Sequence, residues 1–177
     1  RMKQQSGDLW VFGYGSLMWR AGFAFLERVP ARLIGLHRSL CVYSHVHRGT
    51  PERPGLVLGL DRGGACRGMA FRVAAELREA TIAYLREREQ ATSVYLEVER
   101  VVTLEQPGAP RVRALTYVVD RGHSQYAGRL PLDRQLHIVR QGHGQSGANP
   151  DYVHNTVKAI EDLGFRDPDL HWLAAHL

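Results

Sequence analysis

The sequence predicts an α+β fold built on a mostly antiparallel sheet. Three features carry that expectation. Segments with strand-like apolar content fill roughly the first two-thirds of the chain. Helix-start signals collect in the last third. A single amphipathic stretch interrupts the strand region, so the alternation of strand and helix that marks a doubly wound fold is missing.

The first strand is Leu9–Tyr14, apolar until the glycines begin. Arg32–Ser44 follows, with Leu36, Leu40 and Val42 as its apolar content. Leu56–Leu60 reads as a short strand that ends at the turn signal Asp61-Arg62-Gly63-Gly64. Met69, Phe71 and Val73 alternate with Ala70 and Arg72, as in a half-buried strand. Ala75–Gln90 repeats Leu77, Thr81, Tyr84 and Leu85 at helical spacing. Val94, Leu96 and Val98 alternate with Tyr95, Glu97 and Glu99, and Val112–Val119 forms the last strand after the turn Gln106-Pro107-Gly108. Leu132–Gln141 is a shorter helix. Asn149-Pro150-Asp151 places a cap residue, an early proline and a first-turn acid at the head of another, which carries Val153, Val157 and Ile160 on one face and stops at Gly164. Asp167-Pro168 opens a last short helix by the same logic.

The chain has 177 residues, of which 44% are hydrophobic and 23% charged, and a net charge of +5. That is enough for one domain with a real core. The basic residues are interleaved with Glu and Asp, so no nucleic-acid arm is formed, and the charge suits a small acidic substrate or plain solubility. No apolar run is long enough for a membrane span. Arg1–Gly7 lacks the apolar core of a signal peptide. Arg1 ahead of Met2 reads as an expression remnant or trimmed numbering, which makes residues 1–8 a tail and residues 9–177 a single domain. Cys41 and Cys66, with no Cys-x-x-Cys, fit a reduced cytoplasmic protein or one disulfide.

Two glycine-rich stretches invite a nucleotide-binding reading and fail it. Gly13-Tyr14-Gly15-Ser16-Leu17-Met18 has Met where the dinucleotide fingerprint needs its last glycine. Gly142-His143-Gly144-Gln145-Ser146-Gly147 fits the spacing, but it follows a helix and leaves no chain to complete a βαβ unit, so it reads as a flexible loop leading to an Asn149 cap. The first loop remains open between a tight strand-end turn and a nest of backbone N–H groups that grips an anion. A positive φ at Gly15 belongs to the second reading.

Four separated stretches, VFGYGSLMW, HRGTPERPGLVLGLDRGGACRG, YLRERE and GANPDYVHNT, resemble the ChaC family of glutathione-specific γ-glutamylcyclotransferases, in order and over nearly the whole chain. The resemblance implies a γ-glutamylcyclotransferase-like (AIG2/BtrG-type) fold: a small mixed, mostly antiparallel β-barrel with flanking helices. It implies a cofactor-free lyase reaction that turns glutathione into 5-oxoproline and cysteinylglycine. It assigns the γ-glutamyl group to Val11, Phe12, Gly13, Tyr14, Gly15, Ser16 and Leu17, and the base to one Glu. Other γ-glutamyl amino acids or amines as substrates, and a non-catalytic ligand-binding member, are the alternatives.

The chemistry needs a carboxylate base and oxyanion donors, because the substrate's own α-ammonium must lose a proton and its γ-carbonyl must take up charge. With the apolar stripe at Leu77, Thr81 and Leu85, Glu79 and Glu87 fall on the solvated side, and Glu76 and Glu89 at its edges. By the resemblance, Tyr-Leu-x-x-Arg-Glu maps onto Tyr84–Glu89 and makes Glu89 the base. A surface ion pair with Arg86 is its bland alternative. Arg48 and Arg53, on a segment stiffened by Pro51 and Pro54, suit the glycyl carboxylate of the substrate. Tyr126 and Tyr152 either touch ligand or pack on the barrel. His45 and His47 share a strand face, but a third ligand is missing, and the expectation is no metal. The partner is a small molecule, with no nucleic acid and no membrane, and the protein reads as a cytoplasmic monomer.

Overall fold

The structure is a computed structural model that describes residues 7–90 and 93–177; of the tail expected at residues 1–8, residues 1–6 lie outside the described residues. Five strands close a barrel in the order β1-β3-β2-β4-β5. They are β1 (Leu9–Gly13), β2 (Glu27–Ser44), β3 (Gly55–Val73), β4 (Tyr95–Leu104) and β5 (Arg111–Val119). β1 pairs antiparallel with β3 from Leu9↔Val73 to Gly13↔Met69 and meets β5 in parallel at Val11↔Leu115. β4 and β5 pair antiparallel along nine positions from Tyr95↔Val119 to Thr103↔Arg111. The expected mixed, mostly antiparallel barrel is therefore present. Four helices accompany it: α1 (Arg78–Glu89), α2 (Leu132–Gln141), α3 (Asn149–Asp162) and α4 (Pro168–His176).

The chain divides into two compact units. The first comprises the residues up to Arg38 together with Leu60–Asp120. Every residue of β1 is buried, and Trp10, Phe12 and Phe71 are almost wholly so. Each large apolar side chain removed from water contributes about 1.5–3 kcal/mol, which fixes β1 as the unit's centre. On α1 the buried residues are Thr81 and Leu85, whereas Leu77 stays 41% exposed because the chain enters through a 3₁₀ turn at Ala75–Leu77.

The second unit comprises Ser39–Gly59 and Arg121–Leu177. Leu136 and Val139 of α2, Val153, Val157 and Ile160 of α3, and Leu170 and Leu173 of α4 supply its helical core. α3 ends as expected at Gly164, whose φ of +80° turns the chain. α4 starts as expected too, with the Asp167 carboxylate accepting from the Leu170 N–H at 3.2 Å.

Several expectations need correction. Residues 61–64 do not reverse the chain. Gly63 (φ +105°) and Gly64 (φ +62°) sit inside one 19-residue strand, where left-handed glycines bend a long strand without ending it. β2 and β4 are also longer than their apolar patterns, and Leu96 is 45% exposed, so the alternation at Val94–Glu99 does not turn that residue inward.

The glycines from Gly142 to Gly147 are not a loose loop. They form a hairpin of β6 (His143–Gly144) and β7 (Gly147–Ala148), and Gln145 and Ser146 donate backbone bonds to Val46 and His47 at 2.8 and 2.9 Å. Asn149 does not cap α3, because Ala148 holds the cap position. Its fully buried amide instead accepts from the Leu56 N–H at 2.8 Å and donates to the Leu56 carbonyl at 2.9 Å, as a neighbouring strand would.

Candidate active site

Within the first unit, the end of β1 runs into a 3₁₀ turn at Ser16–Met18. Its hydrogen bonds run from the N–H groups of Met18, Trp19 and Arg20 back to Gly15 and Ser16. Among the described residues, the N–H groups of Gly15, Ser16 and Leu17 stay outside that ladder. The side chains of Val11, Phe12, Tyr14 and Leu17 are buried. What this stretch offers a ligand is therefore its backbone and the part-exposed hydroxyl of Ser16. Gly15 has φ −128°, so the positive φ expected there is not adopted. The turn is closed through 3₁₀ bonds, which ordinary negative φ values satisfy.

Two arginines clamp this turn. Arg38, on β2, donates to the Tyr14 carbonyl at 2.6 Å and to the Arg67 carbonyl at 2.7 Å. Arg88, in the last turn of α1, donates to Ser16 Oγ at 2.8 Å, to the carbonyls of Arg20 and Ala21 at 2.6 and 3.0 Å, and to the Tyr84 hydroxyl at 3.1 Å. Gly22 (φ +76°) completes the contact, since a Cβ there would run into the Tyr84 hydroxyl. The final turn of α1 is thus tied to the glycine loop, with Arg88 as the tie.

Glu89 is the next residue along. Burial raises its carboxyl above the ordinary carboxylate range, against the pull of the neighbouring Arg88 guanidinium. Among the described residues its carboxylate makes no hydrogen bond and no ion pair. The alternative of a surface pair with Arg86 does not hold: Arg86 forks onto Glu97, with both nitrogen–oxygen distances 3.0 Å. Glu87 and Glu79 are exposed as the helical phase predicts, and so is Glu76.

Sequence reasoning missed a second carboxylate. Glu97 lies opposite Tyr117 across the β4–β5 ladder and accepts a hydrogen bond from its hydroxyl at 2.8 Å. The Arg86 hydrogen bonds hold Glu97 below the usual carboxylate range. Burial, the bond to Glu97, and the charges of Glu97 and Glu89 push the Tyr117 phenol well above its usual range. Tyr117 therefore stays a neutral donor. No local pattern announces this trio, because it is assembled by strand register and by a helix-to-strand ion pair.

In the second unit, Arg48 donates to the Ala148 carbonyl at 3.1 Å and lies over the Tyr152 ring at 5.6 Å. Tyr152 uses its hydroxyl to accept from the Leu58 N–H at 3.0 Å. Arg53 turns onto the Gln141 amide at 3.0 Å, so the two arginines have different surroundings. Tyr126 bridges to Val42, with Arg121 over its ring at 5.6 Å. His45 and His47 lie beyond the end of β2, not on one strand face, and the His47 ring meets Ser146 Oγ at 2.9 Å. Cys41 and Cys66 are buried free thiols.

Comparison with known proteins gives concordant results. The family model described as ChaC-like protein matches residues 9–176. The chain is 30% identical over 169 residues to a glutathione-specific γ-glutamylcyclotransferase of Escherichia coli, covering 96% of this chain and 72% of that protein. It is 33% identical over 172 residues to γ-glutamylcyclotransferase 2-3 of Arabidopsis thaliana, covering 94% and 86% respectively. A crystal structure of a γ-glutamyl cyclotransferase specific to glutathione from yeast superposes with a TM-score of 0.82 at 22% identity, covering 95% of this chain and 94% of that one.

Proposed function

The chain belongs to the ChaC-like protein family, and from that premise we propose that it cleaves glutathione by cyclisation of the γ-glutamyl group. Glu89 takes a proton from the substrate α-ammonium. The freed amine attacks the γ-carbonyl carbon and closes a five-membered ring. The tetrahedral intermediate then expels the cysteinyl nitrogen, which takes up, by way of Glu89, the two protons that the ring nitrogen gives up and so leaves as an ammonium. The products are 5-oxoproline and cysteinylglycine, and neither water nor a cofactor enters the balance. Holding nucleophile and electrophile in one folded chain is worth about 7–11 kcal/mol of barrier. The base has then to solve only the protonation of an amine whose pKa is about 8.

The observation that carries this reading is the Glu89 carboxylate, without a hydrogen bond or ion pair among the described residues and raised by burial beside an Arg88 whose donors are engaged elsewhere. A raised carboxyl is a stronger base toward an ammonium than an ordinary one. The stretch Val11–Leu17 holds the γ-glutamyl end. Its backbone N–H groups at Gly15–Leu17 serve the substrate carboxylate or the developing oxyanion. Within the second unit, Arg48, set over the Tyr152 ring, and Arg53 offer guanidinium groups that suit the glycyl carboxylate. That β2 and β3 each contribute residues to both compact units supports reading residues 9–177 as a single domain. No helix among the described residues is long and apolar enough to cross a membrane. The two free buried thiols suit a reducing compartment such as the cytoplasm.

The test is product analysis in ¹⁸O-labelled water with glutathione as sole substrate. Cyclisation gives unlabelled 5-oxoproline and an equal amount of cysteinylglycine. Labelled glutamate would mean hydrolysis and would overturn the mechanism.

A further inference from the structure

Helix α2 and the segment before β3 enclose a cleft of about 250 Å³, lined among others by Tyr43, Glu52, Arg53, Arg134, His137 and Gln141. Its charged groups are unspent. Arg53 is anchored through Nε to Gln141, whose amide in turn donates to the Pro54 carbonyl at 2.7 Å, and among the described residues its two terminal nitrogens are unengaged. Glu52, Arg134 and His137 make no hydrogen bond or ion pair among the described residues. Glu52 shares the cleft with two arginines and neutralises neither.

Opposite charges held apart in one concavity select a ligand carrying both signs. A simple anion meets Glu52 and a simple cation meets the arginines, and each is penalised. We infer that this cleft binds a short peptide zwitterion, its carboxylate shared by the guanidinium groups of Arg53 and Arg134 and its ammonium on Glu52. The identity of the peptide rests on the proposed reaction. In glutathione the cysteinyl nitrogen is an amide, and it becomes an ammonium only when cysteinylglycine is released. Glu52 therefore favours the released dipeptide over intact glutathione.

Calorimetric titration with reduced cysteinylglycine, with N-acetyl-cysteinylglycine and with inorganic phosphate tests this. The wild-type protein binds the free dipeptide more tightly than its acetylated form. Arg134→Gln weakens both by about tenfold, the size of one charge-assisted hydrogen bond, and Glu52→Gln erases the preference for a free ammonium. Both side chains are exposed, so neither substitution touches the core. Equal binding of the two dipeptides, indifference to Arg134→Gln, or phosphate binding as tight as the dipeptide's would overturn the assignment. A protein that forms 5-oxoproline but shows no dipeptide response refutes the cleft and leaves the activity standing. One that binds the dipeptide as described but yields no 5-oxoproline refutes the activity and leaves the cleft standing.

Discussion

Glu89 is held in a state that costs stability. Its carboxyl sits above the ordinary carboxylate range because burial disfavours the anion more than Arg88 favours it. Between its unfolded and its folded pKa the native state binds more protons than the unfolded one. Stability therefore falls as pH rises through that window, and the whole cost is present above it. Glu89→Gln carries no charge, so it should melt above the wild type at pH 7, with the gain shrinking as pH falls into the ordinary carboxylate range. Thermal melts at both ends of that range check this, and a gain independent of pH would show that burial of the anion is not its source. Glu89 was legible through the resemblance, which maps the base onto it; helical phase alone set Glu87 and Glu79 aside and left Glu76 beside it. Glu97 and Tyr117 were not, since only the Glu97↔Tyr117 register and the reach of Arg86 bring them together.

At the scale of elements, the site depends on α1 being tied to the turn after β1. Arg88 makes that tie with one guanidinium on Ser16, Tyr84 and two carbonyls. Arg88→Ala should raise KM for glutathione by about tenfold or more, as charge-assisted bonds to the loop are lost. It should also move the acid limb of the kcat/KM profile to higher pH, because the charge that lowers the Glu89 pKa is gone. Arg88→Lys keeps the charge but not the planar fork, so KM should rise while the acid limb stays in place. An acid limb that moves equally in both variants would mean that Arg88 acts through packing alone. The arginine was in the motif, but its partners were not readable, since residues about 70 positions apart must meet. Glycine punctuation was the least reliable sequence signal. Gly63-Gly64 bends a strand, Gly142–Gly147 builds a packed hairpin, and Gly15 takes a negative φ. The same residue type serves turns, bends and close approaches, and local sequence does not distinguish them.

At the scale of the molecule, the α+β class followed from strands early and helices late, but the closure of the barrel did not. Closure depends on the parallel contact of β1 with β5 at Val11↔Leu115, a pairing of distant segments that no periodicity encodes. The two compact units share the continuous strands β2 and β3, so scanning calorimetry should show one cooperative transition for residues 9–177, and two separated transitions would contradict a single domain. The central claim is that one carboxylate, Glu89, raised by burial, drives cyclisation of the substrate on itself. Its most direct test is the rate of 5-oxoproline formation from saturating glutathione by the wild type, Glu89→Gln and Glu87→Gln. The account predicts a fall of about 10²–10⁴ for Glu89→Gln, the contribution of a positioned acid–base group, with near wild-type turnover for Glu87→Gln. A fully active Glu89→Gln protein, or a folded but inactive Glu87→Gln protein, would contradict it.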